Sequence, residues 1–325
     1  MSRASRLDRL QRRHPRVGFP IAVVYKYADD SGGYLAALIT YYAFVSLFPL
    51  LLIFTTVLGL VLSGHGGLQH RIEASALSQF PVIGADLGRP RRIGGGTVGL
   101  VVGVLGALYG GLGVAQATQY AMNTMWAVPR NERPNPIRGR ALSLVILATV
   151  GVAVLCTTAL SALGTSGVGS LGGLARVVLV GTAIAINTAV CLFVFRVAPA
   201  RRLSSGDLLP GALSAALCWQ LLQTFGVTYV SHVIKNASAT NSVFAVVLGM
   251  LAFLYLTAVT TVLCVEINVV RVDRLYPRAL LTPFTDNVDL TAGDERAYTG
   301  QAQSQRAKGF EDIDVTFDRD DAEGS

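Results

Sequence analysis

Residues Tyr34–Leu62 read YLAALITYYAFVSLFPLLLIFTTVLGLVL, a run of 29 residues without Asp, Glu, Lys, Arg or His. At about 1.5 Å of rise per helical residue, such a run crosses a hydrocarbon core of about 30 Å with room to tilt. It is far too long for an ordinary buried helix of a soluble domain, so the sequence predicts a membrane protein with this stretch as its first span. Tyr42, Ser46 and Pro49 recur at i, i+4 and i+7 and therefore share one helical face. Pro49 has no N–H to give the carbonyl of Val45, which predicts a kink and a freed acceptor that neighbouring groups must satisfy. The face reads either as an inward packing surface or as one that meets substrate.

The rest of the composition agrees with a bilayer. Hydrophobic residues make up 52% of the chain and charged residues 14%, against about 25% charged in soluble domains. The net charge of +7 hides a split, because residues 286–325 hold 11 acidic and 4 basic side chains while residues 1–285 carry +14. That basic excess is explained by membrane topology, and no nucleic-acid partner is expected. Cys156, Cys191, Cys218 and Cys264 lie in apolar runs without a CxxC spacing and read as small buried side chains. The first 33 residues lack the apolar core of a cleavable signal, so the first span is expected to stay in the protein.

Five further apolar runs predict spans at 94–126, 141–163, 174–197, 208–233 and 241–270. The expectation is an all-α fold, a bundle of six transmembrane helices over 34–270. A basic segment, 1–33, should lie along the membrane surface, and the acidic tail 271–325, poor in aromatics, reads as disordered. Six spans put both termini on one side. With that side cytoplasmic, the inner segments carry 17 Lys and Arg and the outer segments 5, as the positive-inside rule requires. Arg89, Arg91 and Arg92 precede the second span on the outer face. They either snorkel into lipid headgroups or hold an anionic lipid or glycan.

Inside the spans, Gly99, Gly103, Gly106, Gly110 and Gly113 form one stripe on the second helix, suited to close packing or to hinge motion. Gln116, Gln119 and Asn123 share a different face and need inward partners or a wet cavity. The fifth span carries Gln220 and Gln223 beside Trp219, and the sixth ends in Glu266 and Asn268. Glu266 stands about 37 Å along its helix from Asn241, at the cytoplasmic boundary. There it reads as a carboxylate paired with a neighbouring arginine, or as a proton or substrate relay. His14, His65, His70 and His232 form no metal-binding spacing, and no nucleophile–base set or phosphate loop is present, so no catalytic residue, metal or cofactor is expected.

Three motifs together resemble the YihY/BrkB family of bacterial inner-membrane proteins. They are AALITYYAFVSLFPLLL (36–52), the set Asn123, Trp126 and Pro129, and the region from Pro210-Gly211-Ala212 through YVSHVIKNASATNSVFAVVLGMLAFLYLTAVTTVLCVEIN (229–268). The chain departs from the family pattern at Asn241-Ser242, at Phe253 and at Cys264, and it matches at Glu266 and Asn268. The resemblance implies a six-helix bundle in the cytoplasmic membrane and a role in the envelope. An older label for some members, ribonuclease BN, finds no support in these residues. The function expected is transport or flipping of a lipid or other amphiphile, with membrane lipids as partners. The substrate-path candidates are Tyr42, Ser46, Pro49, Gln116, Gln119, Asn123, Gln220, Gln223, Glu266 and Asn268. The alternatives are a non-transporting scaffold that recruits envelope-assembly proteins and a membrane-embedded hydrolase, the latter without a catalytic set to support it.

Overall fold

The computed structural model describes residue 8 and residues 11–61, 96–167, 172–235, 242–282 and 288–317, and the regular structure among them is helical. The helices are α1 (Pro15–Asp29), α2 (Gly32–Val61), α3 (Gly96–Met125), α4 (Pro136–Gly167), α5 (Gly172–Val197), α6 (Ser205–Lys235), α7 (Ser242–Val272) and α8 (Ala292–Gln303). By length and composition α4, α5, α6 and α7 can each cross a membrane, and α2 adds a shorter apolar stretch over 32–47. Arg89, Arg91 and Arg92 lie outside the described residues.

Each long helix packs on the next in sequence, and α7 returns to α2, so α2 to α7 close a ring. The closest approach is between α2 and α3, and the glycine stripe explains it. A Cβ added at Gly106 would stand 2.8 Å from Pro49 Cγ, and Cβ atoms at Gly110 and Gly113 would overlap Ser46 and Tyr42. The polar face of the first span and the glycine stripe of the second are thus two halves of one contact. α2 continues as helix through Pro49. The outer surface carries large apolar side chains, among them Leu105, Tyr109, Val152, Val177, Phe225 and Leu248. Hydrocarbon is the solvent for such a surface.

Among the described residues, the buried ones gather around Met122, Met125, Trp126, Phe195, Leu208 and Val265, at one end of the ring. Two expectations need correction there. Residues 1–33 do not simply lie on the membrane surface, because α1 packs against α7 and buries Ala22, Val23 and Lys26. The tail beyond 270 is not uniformly disordered either. Residues 288–317 fold over the same end, and α8 begins with a capping box in which Thr291 and Asp294 satisfy each other's backbone N–H.

One ion network fixes the tail. Arg278, fully buried, donates to Asp294 at 2.5 Å and to Asp29 of α1 at 2.9 Å, and its guanidinium stacks on Tyr298. Asp294 also accepts from the Ala279 N–H at 2.9 Å. Composition averages over acidic residues, whereas here one of them has a specific buried cation. Replacing Asp294 with Ala breaks one buried pair and leaves Arg278 with Asp29 alone, a loss of up to about 3–5 kcal/mol. Limited proteolysis should then cut 288–317 rapidly while the long helices survive; unchanged resistance would show that the network does not hold the tail.

Candidate functional site

The buried end of the ring assembles its polar residues from segments far apart in sequence. Asn123, at the last turn of α3, accepts the Ala200 N–H at 2.8 Å and donates to the Gln119 carbonyl. Gln119 donates to Ser143 Oγ at 2.8 Å and to the Gly139 carbonyl at 3.1 Å, tying α3 to α4. Gln116 does not join them; it is exposed, which corrects the inward placement. The turn carrying Ala200 covers the helix face at Asn123. Gln220 and Gln223 stay apart from these groups, half-buried on α6, with Trp219 beside Phe253.

Asn268 has a structural task. Pro210 cannot donate within α6, and the backbone around it is completed from α7. Asn268 accepts the Gly211 N–H at 2.8 Å and donates to the Leu208 carbonyl at 3.0 Å. Any side chain at Gly211 would run into the Cys264 carbonyl and Asn268. The Pro-Gly-Ala and Glu-x-Asn motifs are therefore one helix–helix junction. A second junction centres on Trp126, whose ring supports the Arg201 guanidinium at 5.1 Å. Arg201 is held in a two-pronged pair by Asp273, at 2.7 and 2.9 Å.

Glu266 is fully buried, and its partner is not an arginine. It faces Lys26 and Asp30, both at the end of α1 and both buried. Lys26 donates to Asp30 and, at 3.2 Å, to the Met125 carbonyl that ends α3. Burial acts on all three groups. It pushes the Asp30 carboxyl above its ordinary 3.8, although Lys26 pulls the other way. It also opposes the charge on Lys26, but Glu266 and Asp30 together outweigh it and hold the amine above 10.5. Both carboxylate oxygens of Glu266 are shut off from solvent and receive no hydrogen bond from the described residues.

Two cavities flank this trio. One of about 270 Å³ is lined by Lys26, Met125, Leu275 and Ala297. The other, of about 260 Å³, is lined by Asp30, Tyr34, Tyr120 and Ser304. Both have room for several waters. Sequence reading found Glu266 but missed Lys26 and Asp30. The available signal was a Lys–Asp pair at i, i+4 placed just before the first apolar run. Its link to Glu266 spans 240 residues and has no local signature.

A family model described as virulence factor BrkB matches residues 23–285. Inner membrane protein YhjD of Escherichia coli is 24% identical over 276 residues, covering 78% of this chain and 80% of the relative. An uncharacterized protein of Dickeya dadantii is 28% identical over 264 residues, covering 74% of this chain and 78% of the relative. No solved structure matches. The matched span takes in the Lys26–Asp30–Glu266 trio and both helix junctions, and it stops before α8.

Proposed function

Because the chain belongs to the virulence factor BrkB family, we propose that it is a six-span protein of the bacterial inner membrane that moves a lipid or other amphiphile across the bilayer. The observation that carries this reading is the placement of buried charge. Lys26, Asp30 and Glu266 are enclosed at one end of a ring of apolar helices, beside cavities large enough for water. Ionisable groups in such a setting are costly and mark paths for ions or polar headgroups. The excess of Lys and Arg in the inner segments supports a cytoplasmic position for this end, with both termini. Gln220 and Gln223, half-buried on α6, would offer a polar edge to a headgroup whose acyl chains stay in lipid.

The test is translocation of labelled phospholipids in proteoliposomes. Movement above that of protein-free vesicles, reduced at least several-fold by Gln220→Ala with Gln223→Ala, supports both the activity and its path. Movement that ignores the two changes removes the path from α6. No movement of several headgroup classes by folded protein overturns transport. It favours the scaffold reading, for which the exposed Phe310 of the folded tail is the surface to examine. Deleting the tail outright would be a poor discriminator, since it strips Arg278 of Asp294.

A further inference from the structure

Fully ionised, Lys26, Asp30 and Glu266 amount to one positive and two negative charges inside the protein. The surplus negative charge is costly there. Carboxylates also cannot bond to one another, because each only accepts. Yet the buried Asp30 and Glu266 carboxyls act directly on each other, and among the described residues no donor reaches either oxygen of Glu266. A single proton on either carboxyl corrects both faults: it makes the trio neutral and supplies the missing O–H···O bond.

We infer that Asp30 and Glu266 share one exchangeable proton, in a proton-binding site completed by Lys26, and that its uptake and release drive the movement of the amphiphile. The second half rests on the transport reading above; the first does not. The step is a plain protonation. A hydronium ion in cavity water gives its proton to one carboxylate oxygen, an O–H bond forms, and water remains. Release reverses it, and no other bond changes.

The surroundings favour such exchange. The cavity on the Lys26 side and the cavity on the Asp30 side bring space for water to both ends of the trio, and α8 roofs both through Ala297 and Gln301. Lys26, Asp30 and Asp29 act on Glu266, and further titratable groups come from other elements packed near α7. α1 and its turn supply Lys26, Asp30 and, farther off, Asp29, whose charge is offset by Arg278. Arg278 is itself paired with Asp294 at the start of α8. From α6, Cys218 meets Cys264 two residues before Glu266. On α7 itself, Tyr255 meets Tyr27 of α1. α3 offers the Met125 carbonyl, which Lys26 occupies. Lys26 is therefore the one cation facing the carboxyl pair among the described residues.

The test compares the whole chain with Glu266→Gln and Asp30→Asn, each reconstituted in vesicles of bacterial polar lipid. Both substitutions keep the size of the side chain and imitate the protonated, neutral trio, so both should fold; if one does not, the other carries the experiment. Infrared difference spectra between acid and alkaline buffer should show a protonated-carboxyl carbonyl band persisting at neutral pH. Glu266→Gln should abolish it, and Asp30→Asn should abolish or displace it. Absence of that band from the unaltered chain, or its indifference to both changes, overturns the proton site.

The second readout is translocation of a labelled phospholipid with and without a pH gradient. The gradient should change the unaltered chain's rate several-fold and leave the rate of Glu266→Gln unchanged. A rate indifferent to the gradient, with the band present, overturns the coupling. No movement under any condition, with the band present, overturns the transport reading and with it the coupling, while upholding the proton site.

Discussion

Replacing Lys26 with methionine is expected to destabilise the protein by about 3–5 kcal/mol near pH 8, the cost of leaving buried charge without its partner. Methionine fills nearly the same volume, so packing is largely preserved and the loss reports charge. The loss should shrink on acidification. Lys26 in the folded protein is held above its ordinary 10.5, so its contribution is fully present below that value and disappears only as pH rises through the folded one. Asp30 is raised above 3.8, so the stability tied to its proton is complete below 3.8 and is lost as pH rises through its folded value. Acidification therefore protonates the carboxyls that Lys26 had been balancing. Thermal unfolding in detergent at pH 8 and pH 5 measures both effects. A drop on the order of 10 °C at the higher pH is expected, with partial recovery at the lower. Equal losses at the two values would mean that Lys26 acts through packing alone.

Adding one methyl group at Gly110 should be nearly as damaging. The Cβ of Gly110→Ala would overlap the Cα and Cβ of Ser46, and a helix backbone cannot swing aside as a side chain can. Overpacking of this kind costs about 3 kcal/mol, the upper end of the usual range. Gly113→Ala should cost less, because its obstacle is the ring of Tyr42, which can rotate. Gly151→Ala and Gly181→Ala are the controls, since nothing lies within 4 Å of either new Cβ. Monodispersity and thermal stability after extraction should rank Gly110→Ala worst and leave the controls unchanged. Combining Gly110→Ala with Ser46→Gly should recover part of the loss, and a failure to recover any would place the clash elsewhere.

Much of the architecture follows from local sequence. Long uncharged runs can satisfy their backbone in lipid only as helices, so Tyr34–Leu62 announces a membrane helix without reference to the rest of the chain. The glycine period on α3 likewise declares a close contact, and the motifs around Trp126, Gly211 and Glu266 declare that those positions matter. None of these patterns names its partner. That Gly106, Gly110 and Gly113 receive Pro49, Ser46 and Tyr42 is decided by how α2 and α3 meet. That Asn268 completes the backbone around Pro210 depends on α6 and α7 crossing where they do.

The tail and the site show the same division. Acidic, aromatic-poor composition predicts disorder beyond 270, but it cannot see Asp294, whose energy comes from one arginine brought to it by the fold. Glu266 was legible as a carboxylate at a helix end, but its lysine lies 240 residues earlier. Periodicity and composition fix what each segment is, because those depend on neighbours within a few residues and on the solvent. Which buried charges share one enclosure depends on contacts between segments distant in the chain, and for Lys26, Asp30 and Glu266 only the tertiary structure decided it.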